Sequence, residues 1–339
     1  MITRRICCMV VIAAVLTALP MFGAERSGNV MKGNSVDKVC LGRYILEVPS
    51  GTEVAGRFKY MDNDIEVVRG ETMSAYLNRM KARESELKHA SHRDGGSMFV
   101  EVRRYGPGQT ELVSWKGEAS RILHRYELFS HFERPAVTLS MAVDGSARNF
   151  EEIKGYSREL AGAIQYRGDG EVPKVPGFCI EAGFLNGSEL NAEEVAVGLD
   201  VPDYPTVTIS YDSYVTGNPD KPLLSRVPLV PSMLLSMLNG TSTLRRRDRN
   251  IGPIKGQELL VRASENGKRS YEFLWESQGR ADSIEFPFMS LQLSTSAETD
   301  AKGEVIDAPF ANDEEALAFW DAILGSLRLR PGAVGPSSS

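Results

Sequence analysis

The chain has 339 residues, of which 42% are hydrophobic and 25% are charged, and its formal net charge is −6. This composition is typical of a soluble globular protein, and it argues against a disordered chain and against several membrane spans. The length exceeds one ordinary hydrophobic core and fits two domains of about 150 residues each. The acidic balance argues against nucleic acid as a partner.

Residues 1–24 have the pattern of a secretory signal peptide. Arg4 and Arg5 form a short basic region, and residues 6–19 are an apolar run that is short for a membrane span. Phe22 occupies a position where a small residue favours cleavage, so an uncleaved anchor is the alternative. We expect an exported, periplasmic protein that has no stable membrane span once the leader is removed.

The first half of the chain behind the leader predicts an antiparallel sheet and two helices. Apolar residues at helical spacing, with charged residues between them, predict an amphipathic helix at 72–90. A second helix is predicted at 149–163. Alternating or extended apolar patterns bounded by turn residues predict strands at 44–48, 64–69, 98–105, 110–116, 120–132 and 137–143.

The second half follows the same plan behind a stretch of charge, glycine and proline. This stretch predicts a linker at 169–176, between an N-terminal domain at 38–168 and a C-terminal domain at 177–332. Strands are predicted at 178–185, 194–199, 206–214, 257–264, 269–278 and 288–295, and helices at 232–238 and 313–324. We therefore expect two related tandem domains of the α+β class, each an antiparallel sheet flanked by helices.

Three short sequence landmarks support a duplication, because they occur in the same order in both halves. The first half opens with 40–49, passes through Lys116-Gly117-Glu118 and closes with 161–167. The second half opens with 177–185, passes through Lys255-Gly256-Gln257-Glu258 and closes with 321–330. A duplicated body without an obvious reaction motif suggests a binding protein.

Two cysteines remain behind the leader, and they occupy matching positions in the two repeats. These are Cys40 and Cys179. In an oxidising compartment such a pair indicates a disulfide, and an approximate twofold axis between the repeats would bring equivalent residues together. The alternative is two separately buried thiols.

No residue pattern predicts an active site. The nearest approach to a lipase nucleophile elbow, around Ser277, lacks the first glycine of the motif. His89 and His92 lack the further ligands that a metal site needs, and His124 and His131, seven residues apart in one predicted strand, face opposite ways. We expect no catalytic residue, no cofactor and no metal.

One basic run is unusual in this acidic chain. It contains Arg245, Arg246, Arg247 and Arg249. The run is either a solvated loop or an electrostatic contact for an acidic partner surface. The apolar stretch just before it, 228–238, is either core or an exposed docking face.

The landmarks at 40–49, 176–183 and 326–332 resemble the immunity proteins that neutralise type VI secretion lipase effectors, the Tle cognate immunity family. The resemblance extends from about Cys40 to Gly332. It implies periplasmic residence, no catalytic residues, and inhibition of a phospholipase by direct binding, with the two domains gripping the enzyme. An exported hydrolase and a periplasmic ligand-binding or envelope protein are the alternative functions.

Overall fold

The computed structural model describes residues 35–189, 191–204, 206–227, 240–265, 268–295 and 309–335. The predicted signal peptide at 1–24 and the predicted helix at 232–238 lie outside these ranges. No helix within them is long and apolar enough to cross a membrane.

The first half contains nine strands and two helices within the described residues. Thr72 caps the first helix by accepting a hydrogen bond from the backbone N–H of Ala75. The elements are β1 (Val36–Leu41), β2 (Tyr44–Pro49), β3 (Glu53–Tyr60), β4 (Asn63–Arg69), α1 (Met73–His89), β5 (Phe99–Gly106), β6 (Gln109–Trp115), β7 (Leu123–Glu133), β8 (Ala136–Ser146), α2 (Phe150–Ala163) and β9 (Ile164–Tyr166).

The second half repeats this alternation. Asn312 caps its last helix through a side-chain bond to the N–H of Glu315, and three acidic residues in the first turn suit the helix dipole. The elements are β10 (Gly177–Ile180), β11 (Gly183–Asn186), β12 (Glu193–Asp200), β13 (Val207–Tyr214), α3 (Leu223–Arg226), β14 (Ser242–Asp248), β15 (Gln257–Glu265), β16 (Lys268–Ser277), β17 (Phe288–Thr295), α4 (Asp313–Ser326) and β18 (Arg328–Leu329).

The α+β class is confirmed, and three local expectations need correction. The strand expected at 178–185 is a hairpin, because Ala182 adopts a positive φ of 51° and turns the chain between β10 and β11. The expected strands do not include β1, β3, β9, β14 or β18. The basic run at 245–247 lies in strand β14, so it is not a loop.

Twelve strands from both halves form one antiparallel sheet in the order β14-β15-β16-β17-β13-β12-β3-β4-β8-β7-β6-β5. The halves join where β3 pairs with β12 over eight positions, from Tyr60 opposite Glu193 to Glu53 opposite Asp200. A single cluster of buried apolar side chains draws on both halves. The tandem halves therefore share one sheet and one core.

Helices pack on both faces of this sheet. On α4, Trp320 packs edge-on against Phe273 of β16, with ring centroids 5.8 Å apart. On the other side of the sheet, α1 stacks Tyr76 on His131 of β7 at 5.0 Å. Strand β13 alternates buried and exposed residues along its length, which is the pattern of a sheet with one face in the core.

Two small sheets beside the large one show that the halves exchange their last strands. Strand β18 pairs with β2 of the first half, and β9 pairs with β11 of the second half. The two junctions match in detail. The N–H of Arg330 donates to the carbonyl of Arg43 at 2.9 Å, and the N–H of Arg167 donates to the carbonyl of Ala182 at 3.2 Å. Each half is therefore completed by the end of the other.

Arg330 ties the linker to this junction. Its side chain is 1% exposed, and its guanidinium donates to the carbonyls of Pro173, Val175 and Gly177. Burial, together with the positive charges of Arg43 and Arg167, lowers the pKa of Arg330 to about 10. The guanidinium stays charged at neutral pH, and it holds the predicted linker against the body.

Arg167 has the same role at the equivalent position of the first half. It is 7% exposed and donates to the carbonyls of Ile180 and Gly183 in the second hairpin, at 2.9 and 3.2 Å. It also donates to the carbonyl of Glu171 in the linker at 3.0 Å. The linker is therefore held at both ends by buried, charge-assisted hydrogen bonds.

We predict that Arg330→Met lowers the free energy of unfolding by about 3 kcal/mol, because the buried carbonyl of Gly177 and the partly buried carbonyls of Pro173 and Val175 lose their charged donor. The matched control is Arg328→Met, which removes a half-exposed side chain paired with Glu47 and should cost less than about 1 kcal/mol. Urea unfolding of the two variants measures the difference. Equal losses would contradict the role given to Arg330.

Candidate functional site

The two hairpins meet along a seam between the halves. Gly42 at the end of the first hairpin and Cys179 in the second exchange two backbone hydrogen bonds, of 3.0 and 2.8 Å. Gly42 needs its positive φ of 62° in this turn, and a side chain there would meet the ring of Phe178. The close contact places the equivalent residues of the two repeats side by side.

Cys40 and Cys179 form a disulfide across this seam, with Cα atoms 5.9 Å apart and a separation of 139 positions in sequence. The Cα separation lies within the usual range for a disulfide. Both residues are buried, and they pack with Ile45 and Phe184. The bond therefore joins strands that backbone pairing has already aligned. Its presence in the exported protein stays a prediction.

A buried ion pair reinforces the seam, and sequence reasoning missed it. Arg43 and Glu193 are 4% and 5% exposed and form a bidentate pair with N···O distances of 2.8 and 2.7 Å. The remaining guanidinium nitrogen donates to the carbonyl of Ala333 at 2.6 Å. No local pattern could have shown this pair, because its members are 150 positions apart in the chain.

A cleft of about 850 Å³ lies beside the seam. One wall is β1 and another is the start of β3 with Phe58, while linker residues Asp169 and Gly170 close one end. Arg69 spans that end, with nitrogens 3.3 Å from a carboxylate oxygen of Asp169 and 3.2 Å from one of Glu181. The cleft therefore combines an apolar wall with charged groups at its end.

The predicted partner-binding arginines lie on and just after the edge strand β14. Arg245 and Arg249 donate to the carboxylate of Asp321 on α4, at 2.8 and 3.4 Å. Arg247 donates at 2.7 Å to Glu258, which is fully buried. These ion pairs hold the edge strand on the body. A role in partner binding stays a prediction.

The fourth arginine, Arg246, bonds to backbone. Its guanidinium donates to the carbonyls of Leu224 and Val227, at 2.7 and 3.2 Å. All four arginines of the basic run therefore have acceptors within the same chain. Fewer than four positive charges of this run are therefore free to form the positive surface that the sequence suggested.

The residues considered for catalysis do not come together. Ser277 is buried at the end of β16. His124 packs edge-on against Trp115 at 4.5 Å, and burial lowers the pKa of His124, with Arg103 adding to the effect. His131 lies on the other face of the same strand. Within the described ranges no three His, Cys, Asp or Glu side chains are grouped as metal ligands would be.

The fold and the seam define a class: duplicated α+β proteins whose halves share one sheet and complete each other's small sheets. Comparison with family models identifies the family. Residues 37–160 match the N-terminal domain of Tle cognate immunity protein 4, and residues 171–332 match its C-terminal domain. The two matches span most of the chain, which belongs to the Tle cognate immunity protein 4 family.

Solved structures agree over nearly the whole described chain. The apo structure of the type VI secretion immunity protein TplEi from Pseudomonas aeruginosa is 26% identical, covers 87% of this chain and 97% of its own, and has a TM-score of 0.78. The Tle4–Tli4 complex is 26% identical, covers 87% of this chain and 98% of its own, and has a TM-score of 0.79. TplEi complexed with "L" peptide has the same identity and the same two coverages, with a TM-score of 0.73. No curated protein sequence matches the chain.

We predict that replacing Cys40 and Cys179 with serine lowers the stability of the exported protein by about 5 kcal/mol, the chain-entropy value for a loop of this length. Thermal unfolding with and without reductant measures the effect. The unchanged protein should lose stability in reductant and the double variant should not. Two thiols open to alkylation in the unreduced protein would contradict the disulfide.

We predict that Arg247→Gln lowers the free energy of unfolding by about 2 kcal/mol, because the buried carboxylate of Glu258 loses its closest partner. Arg249→Gln is the matched control and should cost less than about 1 kcal/mol, since its ion pair with Asp321 is partly exposed. Urea unfolding of both variants checks this.

The Arg249→Gln variant also tests the partner-binding prediction, because it spares the ion pairs of Glu258. Slower association with the partner at low salt, and a weaker dependence of the rate on salt, would support that role. An unchanged association rate would show that Arg249 does not contact the partner and contributes only to the stability of the fold.

Proposed function

We propose that the protein is an exported immunity protein that binds a type VI secretion lipase effector in the periplasm and inhibits it without a reaction of its own. The observation that carries this proposal is the match of both halves to one immunity family, together with the similarity in fold to the Tle4–Tli4 complex. TplEi, a relative of similar fold, is also known bound to a peptide, which supports a polypeptide partner.

The shared sheet supports inhibition by a rigid surface. The β3–β12 ladder, the exchanged strands and the disulfide fix the halves relative to one another. A surface fixed in advance loses little conformational entropy when it binds. Binding that favours an inactive conformation of the lipase would inhibit it by shifting its population toward that conformation.

The predicted leader and the disulfide both support the periplasm as the site of action. Disulfides persist in oxidising compartments and are rare in the bacterial cytosol. A pair of cysteines joined across the seam suits a protein that folds after export. An immunity protein placed there meets a toxin that reaches the same compartment.

The direct test mixes the purified mature chain with its cognate lipase effector. We expect a one-to-one complex and complete loss of lipase activity at one molar equivalent, measured by size-exclusion chromatography and phospholipid hydrolysis. Two fragments split at Gly170 should inhibit far less, because each small sheet takes its third strand from the other fragment.

Cellular protection tests the compartment. A variant that lacks residues 1–24 should fail to protect cells from the lipase delivered to the periplasm, although the same variant, purified and oxidised, should inhibit the lipase in solution. Failure of the mature chain to bind the lipase would overturn the proposal. Lipid hydrolysis by the mature chain alone would favour the exported hydrolase instead.

A further inference from the structure

Strand β1 is the outer strand of its small sheet, whose order is β1-β2-β18. Its register with β2 places Leu41 opposite Tyr44 across the turn, so residues 37, 39 and 41 bond to β2. Alternate residues of an antiparallel strand bond to opposite sides. The N–H and C=O groups of Val36, Lys38 and Cys40 therefore point away from β2. Those of Val36 and Lys38 have no hydrogen-bond partner among the described residues, whereas Cys40 is buried next to Gly42, whose outward groups bond to Cys179.

The 850 Å³ cleft runs along this free edge. It is lined by all six residues of β1. Because successive side chains of a strand point to opposite faces, a cavity that touches every one of them lies at the strand's edge and not over one face. Six residues of strand span about 20 Å. The cleft therefore offers the unpaired backbone groups of Val36 and Lys38, in the exposed half of β1, to a short extended peptide.

The second repeat shows what fills the equivalent edge. Cys40 pairs with Ile45 in the first hairpin, and Cys179 pairs with Phe184 at the equivalent position of the second. Two residues before each cysteine, Gly177 of β10 is therefore the counterpart of Lys38 of β1. The outward N–H of Gly177 donates to the carbonyl of Ala333 at 3.1 Å. Its carbonyl accepts from Arg330 at 2.7 Å.

The covering segment is the chain's own stretch after β18, and its Ala333 is fully buried. In the first half, the residue that corresponds to Ala333 is Gly170, by the same offset that relates Arg330 to Arg167. Gly170 belongs to the linker, and it lines the end of the cleft without bonding to β1. Within the described part of the chain, one repeat has its edge covered by an extended segment, and the matching edge of the other repeat has no such cover.

We propose that the cleft along β1 binds an extended segment of the lipase effector, which adds as a strand to the free edge of β1. This proposal rests on the proposed function and names the surface that carries it. Strand addition takes its affinity from main-chain hydrogen bonds and its specificity from pockets for alternate side chains. The outward groups of Val36 and Lys38 provide the hydrogen bonds.

The lining indicates the chemistry of the bound segment. Val54 and Phe58 form an apolar wall, so side chains on that side of the segment are apolar. The side chains of Lys38 and Glu53 are exposed and have no ion-pair partner among the described residues. An acidic residue beside Lys38 and a basic residue beside Glu53 would complement them.

Hydrogen exchange of the unchanged protein tests the proposal without a mutation. In the complex with the lipase, the amides of Val36 and Lys38 should exchange at least tenfold more slowly than in the free protein. The amide of Gly177, which Ala333 already protects, should stay slow in both states. A complex that leaves the Lys38 amide unprotected overturns strand addition and leaves the proposed function standing.

A proline variant provides the second test. Lys38→Pro removes the outward N–H but keeps the ladder with β2, because proline is tolerated at the free side of an edge strand. We expect the dissociation constant for the lipase to rise at least tenfold. The matched control, Lys38→Ala, removes the same charge but keeps the N–H, and should raise the constant by no more than about threefold, the effect of losing one exposed ion pair. An unchanged constant for Lys38→Pro in a folded protein overturns the proposal.

Two other results also count against it. Protection of the Lys38 amide already in the free protein would show that another part of the chain covers the edge, which overturns the proposal. Absence of any complex with the lipase would overturn the proposed function, and strand addition with it. The exchange experiment and the binding constant together separate these cases.

Discussion

The exchange of last strands between the halves is the constraint on which the rest of the structure depends. A two-stranded hairpin is marginally stable alone, and each hairpin here gains its third strand from the end of the other half. Neither half can complete its small sheet without the other. The β3–β12 ladder extends this dependence to the large sheet. The tandem repeats are therefore one cooperative body, although their sequence divides them into two.

Three buried arginines keep this exchange in place. Arg43, Arg167 and Arg330 lie near the junctions, and each donates to a backbone carbonyl outside the paired strands, namely those of Ala333, Glu171 and Val175. Burying a guanidinium costs free energy unless hydrogen bonds satisfy it. Carbonyl acceptors offset that cost and at the same time fix the linker. A stretch rich in charge, glycine and proline thus becomes an ordered part of the body.

The sequence predicted those features that depend on local periodicity. Helix α1 was expected at 72–90 and lies at Met73–His89, and most strands fall within a few residues of their expected bounds. Strand β3 was missed because its buried and exposed side chains do not alternate regularly, and several exposed residues follow one another. The basic run predicts a solvated loop or an electrostatic contact with a partner, because the sequence does not show which acceptors the arginines of an edge strand bind.

Long-range features of the site could not be predicted in the same way. The matching positions of Cys40 and Cys179 suggested that they meet, because a duplication places equivalent residues near a common axis. The ion pair of Arg43 with Glu193 carries no such signal. The cleft depends on which strand edge the chain leaves uncovered, and this is a property of the path of the chain in space.

The open edge of β1 follows from how the two repeats continue. After Arg167, residues 168–176 must reach Gly177 and begin the second hairpin, so they cross the seam and cannot follow β1. Residues 330–335 fold over the edge of β10 instead. Duplication thus produced two equivalent edges, and within the described residues the path of the chain covers only one of them. Because an exposed edge invites unwanted strand pairing, its retention inside a cleft suits a segment supplied by a partner.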